Sequence, residues 1–288
     1  MKTFYDLLSQ KKKKNILPIF GFADASDWGK EQKYPIHPDF YPTNVFPETK
    51  TVIVIGIPVI LPILETTPSV YYNEHQNNLN AVLENEMVML SSFLNQQEFA
   101  SMPTARGGYS EMSVLIEKPA AAFSHRHAAY HAGLGVFGRN NVFLTKKYGP
   151  RVRFATILTA ATQTELGVPK KKQKKKAGQK KKFEKNGLCI NCMACSRFCP
   201  IQAINDDPER MYPAVKTDKS RCAAYLDELG KKGTSRCGVC IKVCPVGKDR
   251  ILFDRRNIGI YDESKINSKK KEQLVRSWNH VRAYGTKK

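Results

Sequence analysis

Cys189-Ile190-Asn191-Cys192-Met193-Ala194-Cys195-Ser196-Arg197-Phe198-Cys199-Pro200 is the stretch that decides the fold. Its spacing is C-x2-C-x2-C-x3-C-P, the run of bacterial ferredoxins. Three closely spaced thiolates wrap one corner of an iron–sulfur cubane, and the Cys before Pro points away to a second cluster. A shorter run follows, Cys237-Gly238-Val239-Cys240-Ile241-Lys242-Val243-Cys244-Pro245. It has one local cysteine fewer, and Cys222 upstream is the replacement. The chain has 8 cysteines, all between positions 189 and 244, so two four-thiolate clusters leave none over. The ferredoxin rule then crosses the wiring. Cys189, Cys192, Cys195 and Cys244 hold cluster 1; Cys199, Cys222, Cys237 and Cys240 hold cluster 2.

Two other uses of these cysteines fit less well. A disulfide framework needs an oxidising compartment, and the N-terminus MKTFYDLLSQKKKK places its charge after a short apolar stretch, unlike a secretory leader. Zinc sites use C-x2-C pairs but do not call for C-x2-C-x2-C-x3-C-P or its near-repeat. The expected location is therefore the cytoplasm. No membrane association is expected, because no apolar run approaches the ~20 residues that span a bilayer.

The cysteine-free part, upstream of Cys189, reads as mixed α/β. Residues 51–57 (TVIVIGI) are continuously apolar and β-branched, as in a strand buried on both faces. Residues 73–97 lack Pro and Gly and place Leu79, Val82, Leu83, Met87, Leu90 and Leu94 at helical spacing. The Ala-rich segment 120–132 predicts a second helix ending at Gly133. Residues 141–144 and 152–158 predict strands, with a turn at Tyr148-Gly149-Pro150.

Composition changes at 170–182, which is mostly lysine and cannot bury surface. It predicts a solvated linker. The formal net charge of +21 makes polyanions such as RNA candidate partners. A lysine-rich soluble surface accounts for the same number.

Gly133-Leu134-Gly135-Val136-Phe137-Gly138 matches G-x-G-x-x-G, but a predicted helix precedes it and a strand follows. A dinucleotide fingerprint needs the reverse order and an acidic residue about 20 positions on. Ala155 to Ala160 supply none. These glycines instead predict a tight turn, or backbone passing close to a bulky cofactor.

The segment Ala132-Gly133-Leu134-Gly135-Val136-Phe137-Gly138-Arg139-Asn140, followed by Tyr148-Gly149, Phe154 and Ile157-Leu158-Thr159, resembles the epoxyqueuosine reductase family. The resemblance continues through the first cysteine run, through Arg221-Cys222-Ala223-Ala224-Tyr225-Leu226 and into the last C-x2-C-x3-C-P. It implies a corrinoid (cobalamin) in the N-terminal domain, two [4Fe–4S] clusters beside it, and reduction of an epoxide on a modified tRNA nucleoside. Respiratory reductive dehalogenases share that plan. The cofactor-side candidates are Gly133, Gly135 and Gly138 of the glycine segment, Arg139, which stands where the family has Lys, and Tyr109 on the loop Arg106-Gly107-Gly108-Tyr109. The family's proton-donor Asp lies in an Asp-Ser-Ala-Pro segment; here Pro119-Ala120-Ala121-Ala122 stands in that place. The catalytic candidates are then His125 and His127, with Glu117 next, because histidine titrates near working pH.

The expected fold class is α+β: an N-terminal mixed α/β cofactor-binding domain plus a C-terminal ferredoxin-like double [4Fe–4S] domain. Its boundaries are 1–165 for the cofactor and substrate domain, 166–186 for the lysine-rich linker, 187–260 for the cluster domain and 261–288 for a basic tail. The expected function is an iron–sulfur oxidoreductase fed by an external low-potential donor of ferredoxin or flavodoxin type. A ferredoxin-like electron carrier without its own substrate is the first alternative. An RNA-binding protein with structural clusters, and tRNA as its partner, is the second.

Overall fold

A computed structural model describes residues 3–30, 34–105, 107, 109–118, 120–170, 172, 187–205, 217–234 and 236–285. Most of the predicted lysine-rich linker lies outside the described residues. The elements run α1 (Phe4–Lys13), β1 (Ile19–Asp24), α2 (Pro42–Val45), β2 (Thr51–Pro58), α3 (Leu61–Glu65), α4 (Val70–Asn95), β3 (Ser101–Pro103), α5 (Met112–Glu117), α6 (His125–His131), β4 (Gly135–Phe137), β5 (Phe143–Thr145) and β6 (Val152–Thr159). The C-terminal part adds α7 (Ala194–Arg197), α8 (Lys219–Lys231), α9 (Val239–Lys242), α10 (Asp249–Leu252) and α11 (Lys269–Ala283).

The main sheet has the order β1-β2-β6-β3, and every pairing is antiparallel. Strand β2 is central and covered on both faces, which explains its unbroken apolar run. Ile53 and Ile55 pack with Leu83, Met87, Leu90 and Leu94 of α4 and with Phe4 and Leu8 of α1. Val52 and Val54 pack with Trp28 and with Ala128, Ala129 and Tyr130 of α6. The alternation of side chains along a strand thus separates two cores. Helix α4 starts three residues earlier than the apolar spacing suggests, because Ser69 accepts from the Tyr72 N–H and caps it.

Helix α6 is shorter than predicted. Alanine favours helix, but intrinsic propensity alone does not fix where a helix begins, and Ser124 sets the start instead: its Oγ accepts from the backbone N–H of His127. Residues 120–122 remain outside the helix. The glycine segment after α6 forms a hairpin. Gly133 leaves the helix at φ 69°, and β4 pairs with β5 rather than with the main sheet. A Cβ on Gly135 would stand 1.9 Å from the Leu144 carbonyl oxygen. These glycines therefore serve close backbone approach.

The segment expected as a basic tail is instead structured. Helix α11 buries Val275 and Trp278 against Ala194, Val243 and Tyr261 of the cysteine module. Leu274, Val275 and Trp278 form an apolar stripe that its many lysines and arginines mask in the sequence.

The two modules are locked by buried ion pairs. Arg151 is fully buried, and its Nε and Nη2 donate to Asp249 Oδ2 and Oδ1 at 2.5 and 2.8 Å. Its Nη1 also donates to the Cys244 carbonyl at 3.1 Å. Arg255 Nε donates to Glu65 Oε1 at 2.6 Å, and the Tyr261 hydroxyl donates to the same oxygen at 2.7 Å. No helix among the described residues is long and apolar enough to cross a membrane.

Candidate active site

The two cysteine runs fold as a local repeat. In each, a residue in the left-handed region precedes a one-turn helix: Met193 (φ 60°) before α7 and Gly238 (φ 64°) before α9. A loop helix this short is held by its neighbours, since isolated turns do not persist in water.

The thiols gather in two groups. Burial first, then the adjacent Cys244, Cys189 and Cys192, push the Cys195 thiol up to about 11. Burial likewise pushes Cys237 up to about 11; the Val239 N–H opposes this, and Cys222 and Cys199 reinforce it. Cys240 is raised further by burial and by Cys237 and Cys222, and it also feels Cys195 of the first group. The two groups therefore abut. Among the described residues no three His, Cys, Asp or Glu side chains are grouped to share one metal ion; a cubane instead takes four thiolates. A thiolate so placed needs a cation beside it, and coordination deprotonates a thiol outright. The donor chemistry and the grouping fit two [4Fe–4S] clusters.

A cavity of about 800 Å³ lies between the modules. Its wall includes Tyr109, His125, Arg126 and His127 from the N-terminal module and Lys219, Leu226, Arg236, Cys237 and Gly238 from the cysteine module. Cys237 thus belongs both to the second thiol group and to the cavity wall. Tyr72 completes the contact. A Cβ on Gly238 would stand 2.7 Å from its ring, and burial raises its phenol far above the usual tyrosine range.

Of the predicted catalytic residues, His125 and His127 both line the cavity. His125 Nδ1 is 2.9 Å from Thr156 Oγ1, and His127 Nδ1 is 2.7 Å from Ser124 Oγ. Glu117 ends α5 in an exposed position and is not part of the wall. Of the predicted cofactor-side residues, Tyr109 lines the cavity. Gly138 and Arg139 border the first thiol group instead, with Cys189, Cys192, Cys195 and Cys244. Gly133 and Gly135 line neither space. Tyr72, Arg153, Lys219 and Arg236 lie in the wall without any sequence motif to single them out. They are far apart along the chain, and only the packing of the modules joins them.

Residues 188–248 match the model of a 4Fe-4S dicluster domain. The tetrachloroethene reductive dehalogenase of Sulfurospirillum multivorans is 25% identical over 233 residues, covering 76% of this chain and 38% of that protein. That of Desulfitobacterium hafniense is 31% identical over 134 residues, covering 42% and 21%. The solved catabolic reductive dehalogenase NpRdhA superposes with a TM-score of 0.55 at 16% identity, over 92% of this chain and 34% of that one. The chain has the reductive dehalogenase fold. It spans 38% or less of the length of these curated relatives. Epoxyqueuosine reductases are also among its structural neighbours. That from Bacillus subtilis matches at 17% identity with a TM-score of 0.49, over 96% of this chain and 77% of that one.

Proposed function

We propose that this chain is an iron–sulfur reductase unit, in which electrons enter at the first thiol group and leave from the second into the inter-module cavity. The observation that carries this reading is the double membership of Cys237, in the second thiol group and in the cavity wall. The first run faces outward: Ile190 is 68% exposed and Asn191 is exposed, as suits contact with an external low-potential donor of ferredoxin or flavodoxin type. When bound, two [4Fe–4S] clusters supply one-electron transfer, and a corrinoid in the cavity supplies a cobalt centre for reductive bond cleavage.

The chain's own residues bind, exclude water and manage protons. Tyr72 packs its ring against Gly238, beside the second thiol group, and lines the cavity. His125 and His127 stand at the N-terminus of α6, with one ring nitrogen each engaged by Thr156 and Ser124. That engagement fixes ring orientation, as a general acid requires. Tyr109 is a further proton-bearing group at the wall. His125 and His127 remain the proposed proton donors.

The test is an anaerobic inventory of iron, sulfide, cobalt and flavin on the purified chain, with hydroxocobalamin added. Two clusters and stoichiometric corrinoid are expected; failure to retain corrinoid removes the cobalt part of the reading. Replacing Cys222→Ser should remove one cluster and spare the other, seen as a halved iron content with one electron-paramagnetic signal left. Full iron content in that variant would show the ligand sets to be wrong.

A further inference from the structure

Just past the last cysteine the chain doubles back. The segment Cys244-Pro245-Val246-Gly247-Lys248-Asp249-Arg250 turns at Gly247, whose φ of 121° favours glycine, and α10 then returns Arg250 to Cys244. Arg250 is 1% exposed. Its Nε and Nη2 donate to the Cys244 carbonyl at 2.9 and 2.6 Å, and Nη2 also donates to the Lys242 carbonyl. Its Nη1 donates to the Tyr261 hydroxyl at 2.7 Å, a phenol that burial raises well above the usual tyrosine range and so keeps neutral. Among the described residues every acceptor of Arg250 is thus neutral. The neighbouring arginines differ. Arg151, which donates to the same Cys244 carbonyl, is matched by Asp249, and Arg255 is matched by Glu65.

A buried cation is costly unless something negative lies beside it. The thiolate of Cys244 can supply that charge, since coordination deprotonates a thiol. Burial pushes the Cys244 thiol up, and the Val246 N–H, Arg151 and Arg250 oppose that rise, so both guanidiniums lie within electrostatic reach of the sulfur. We propose that Arg250 is the fixed positive charge of the first cluster site, and that it raises the reduction potential of the cluster held by Cys189, Cys192, Cys195 and Cys244. Reduction adds one electron from the external donor and moves no atom, so the cluster becomes more negative by one charge. A cation beside it favours that state. Arg250 is not part of the cavity wall; it acts through the cluster, as a positioning residue. The proposal deepens the reductase reading, on whose first ligand set it rests, by naming what readies the first cluster to accept an electron.

The experiment is a redox titration of the cluster-loaded full chain, under argon and without substrate, followed by electron paramagnetic resonance. The Cys222→Ser chain identifies the signal of the first cluster. Arg250→Gln should lower the midpoint of that signal by at least about 59 mV, a tenfold change in a one-electron equilibrium, and move the second midpoint less. Arg250→Lys keeps the charge and should hold the midpoint near that of the parent chain. Asp249→Asn removes the carboxylate that matches Arg151 and should move the same midpoint upward. A charge effect requires these opposite signs, whereas loosened packing moves both variants the same way. A midpoint unmoved by Arg250→Gln, or moved in one direction by both variants, overturns the proposal. If Arg250→Gln fails to retain iron, the upward shift in Asp249→Asn is the test, and its absence overturns the proposal. Missing clusters in the parent chain would sink the ligand assignment instead, so the two readings fail separately.

Discussion

At the residue scale, the seam between the modules depends on a few backbone positions. Gly149 has φ +54°, and a Cβ there would stand 1.8 Å from the carbonyl oxygen of Val246, just past Cys244-Pro245. No side chain fits without moving the cysteine module. Gly149→Ala should therefore lower stability by more than the roughly 1–3 kcal/mol of backbone strain alone, measured by thermal unfolding of the cluster-loaded protein. Gly187 is the contrast: its φ is also positive, at +62°, but nothing lies within 4 Å, so only the strain applies. A sequence shows both as glycines and does not distinguish them. The same limit holds for the cysteines. Their spacing announces two cubanes, while the abutment of Cys240 and Cys195 follows from how α7 and α9 turn.

At the element scale, α11 shows how charge hides a packing face. Trp278 is 3% exposed and stacks on Tyr261 at 5.9 Å between ring centroids. Trp278→Ala should destabilise by about 3–5 kcal/mol, measured by denaturant unfolding, and should loosen the first thiol group through Ala194 and Val243. The same helix is pinned by Arg282, whose Nη1 and Nη2 donate to Glu263 Oε2 and Oε1 at 2.6 and 2.9 Å. Burial alone would raise the Glu263 carboxyl, but Arg282 and Lys242 override it and hold it below the usual 4.5. A carboxyl lowered in the folded state contributes stability that is present above the unfolded value and lost as pH falls through the folded one. Stability should therefore decline below about pH 4.5, and Glu263→Gln should flatten that part of the acid limb in a pH series of melting temperatures. By contrast α4 was legible from its spacing: Leu83, Met87, Leu90 and Leu94 face one core and Leu79 a neighbouring one, although Val82 of the same predicted stripe is exposed.

At the scale of the whole molecule, two modules close on one cavity, and buried charges hold them together. Removing one partner of a buried pair leaves the other uncompensated, at a cost of about 3–5 kcal/mol. Asp249→Ala should show that loss in thermal unfolding, because Arg151 is fully buried. It should also open the cavity, detectable as faster oxygen damage to the clusters.

Much of this organisation is written locally. The cysteine spacing, the central apolar strand and the long helix are set by near neighbours along the chain, so periodicity and spacing suffice to read them. That His125 and His127 sit on a helix was legible too; their role as proton donors is a proposal that rests on the cavity they line. Tyr72, Arg153, Lys219 and Arg236 were not, because each is unremarkable among its own neighbours and reaches the cavity wall only when α4, β6, α8 and the loop before α9 meet. The sequence by itself determined the 4Fe-4S dicluster module, since thiolate spacing is a local geometric demand. The tertiary structure alone decided which thiol group faces the cavity and what charge that cavity presents, since both depend on contacts between residues far apart along the chain.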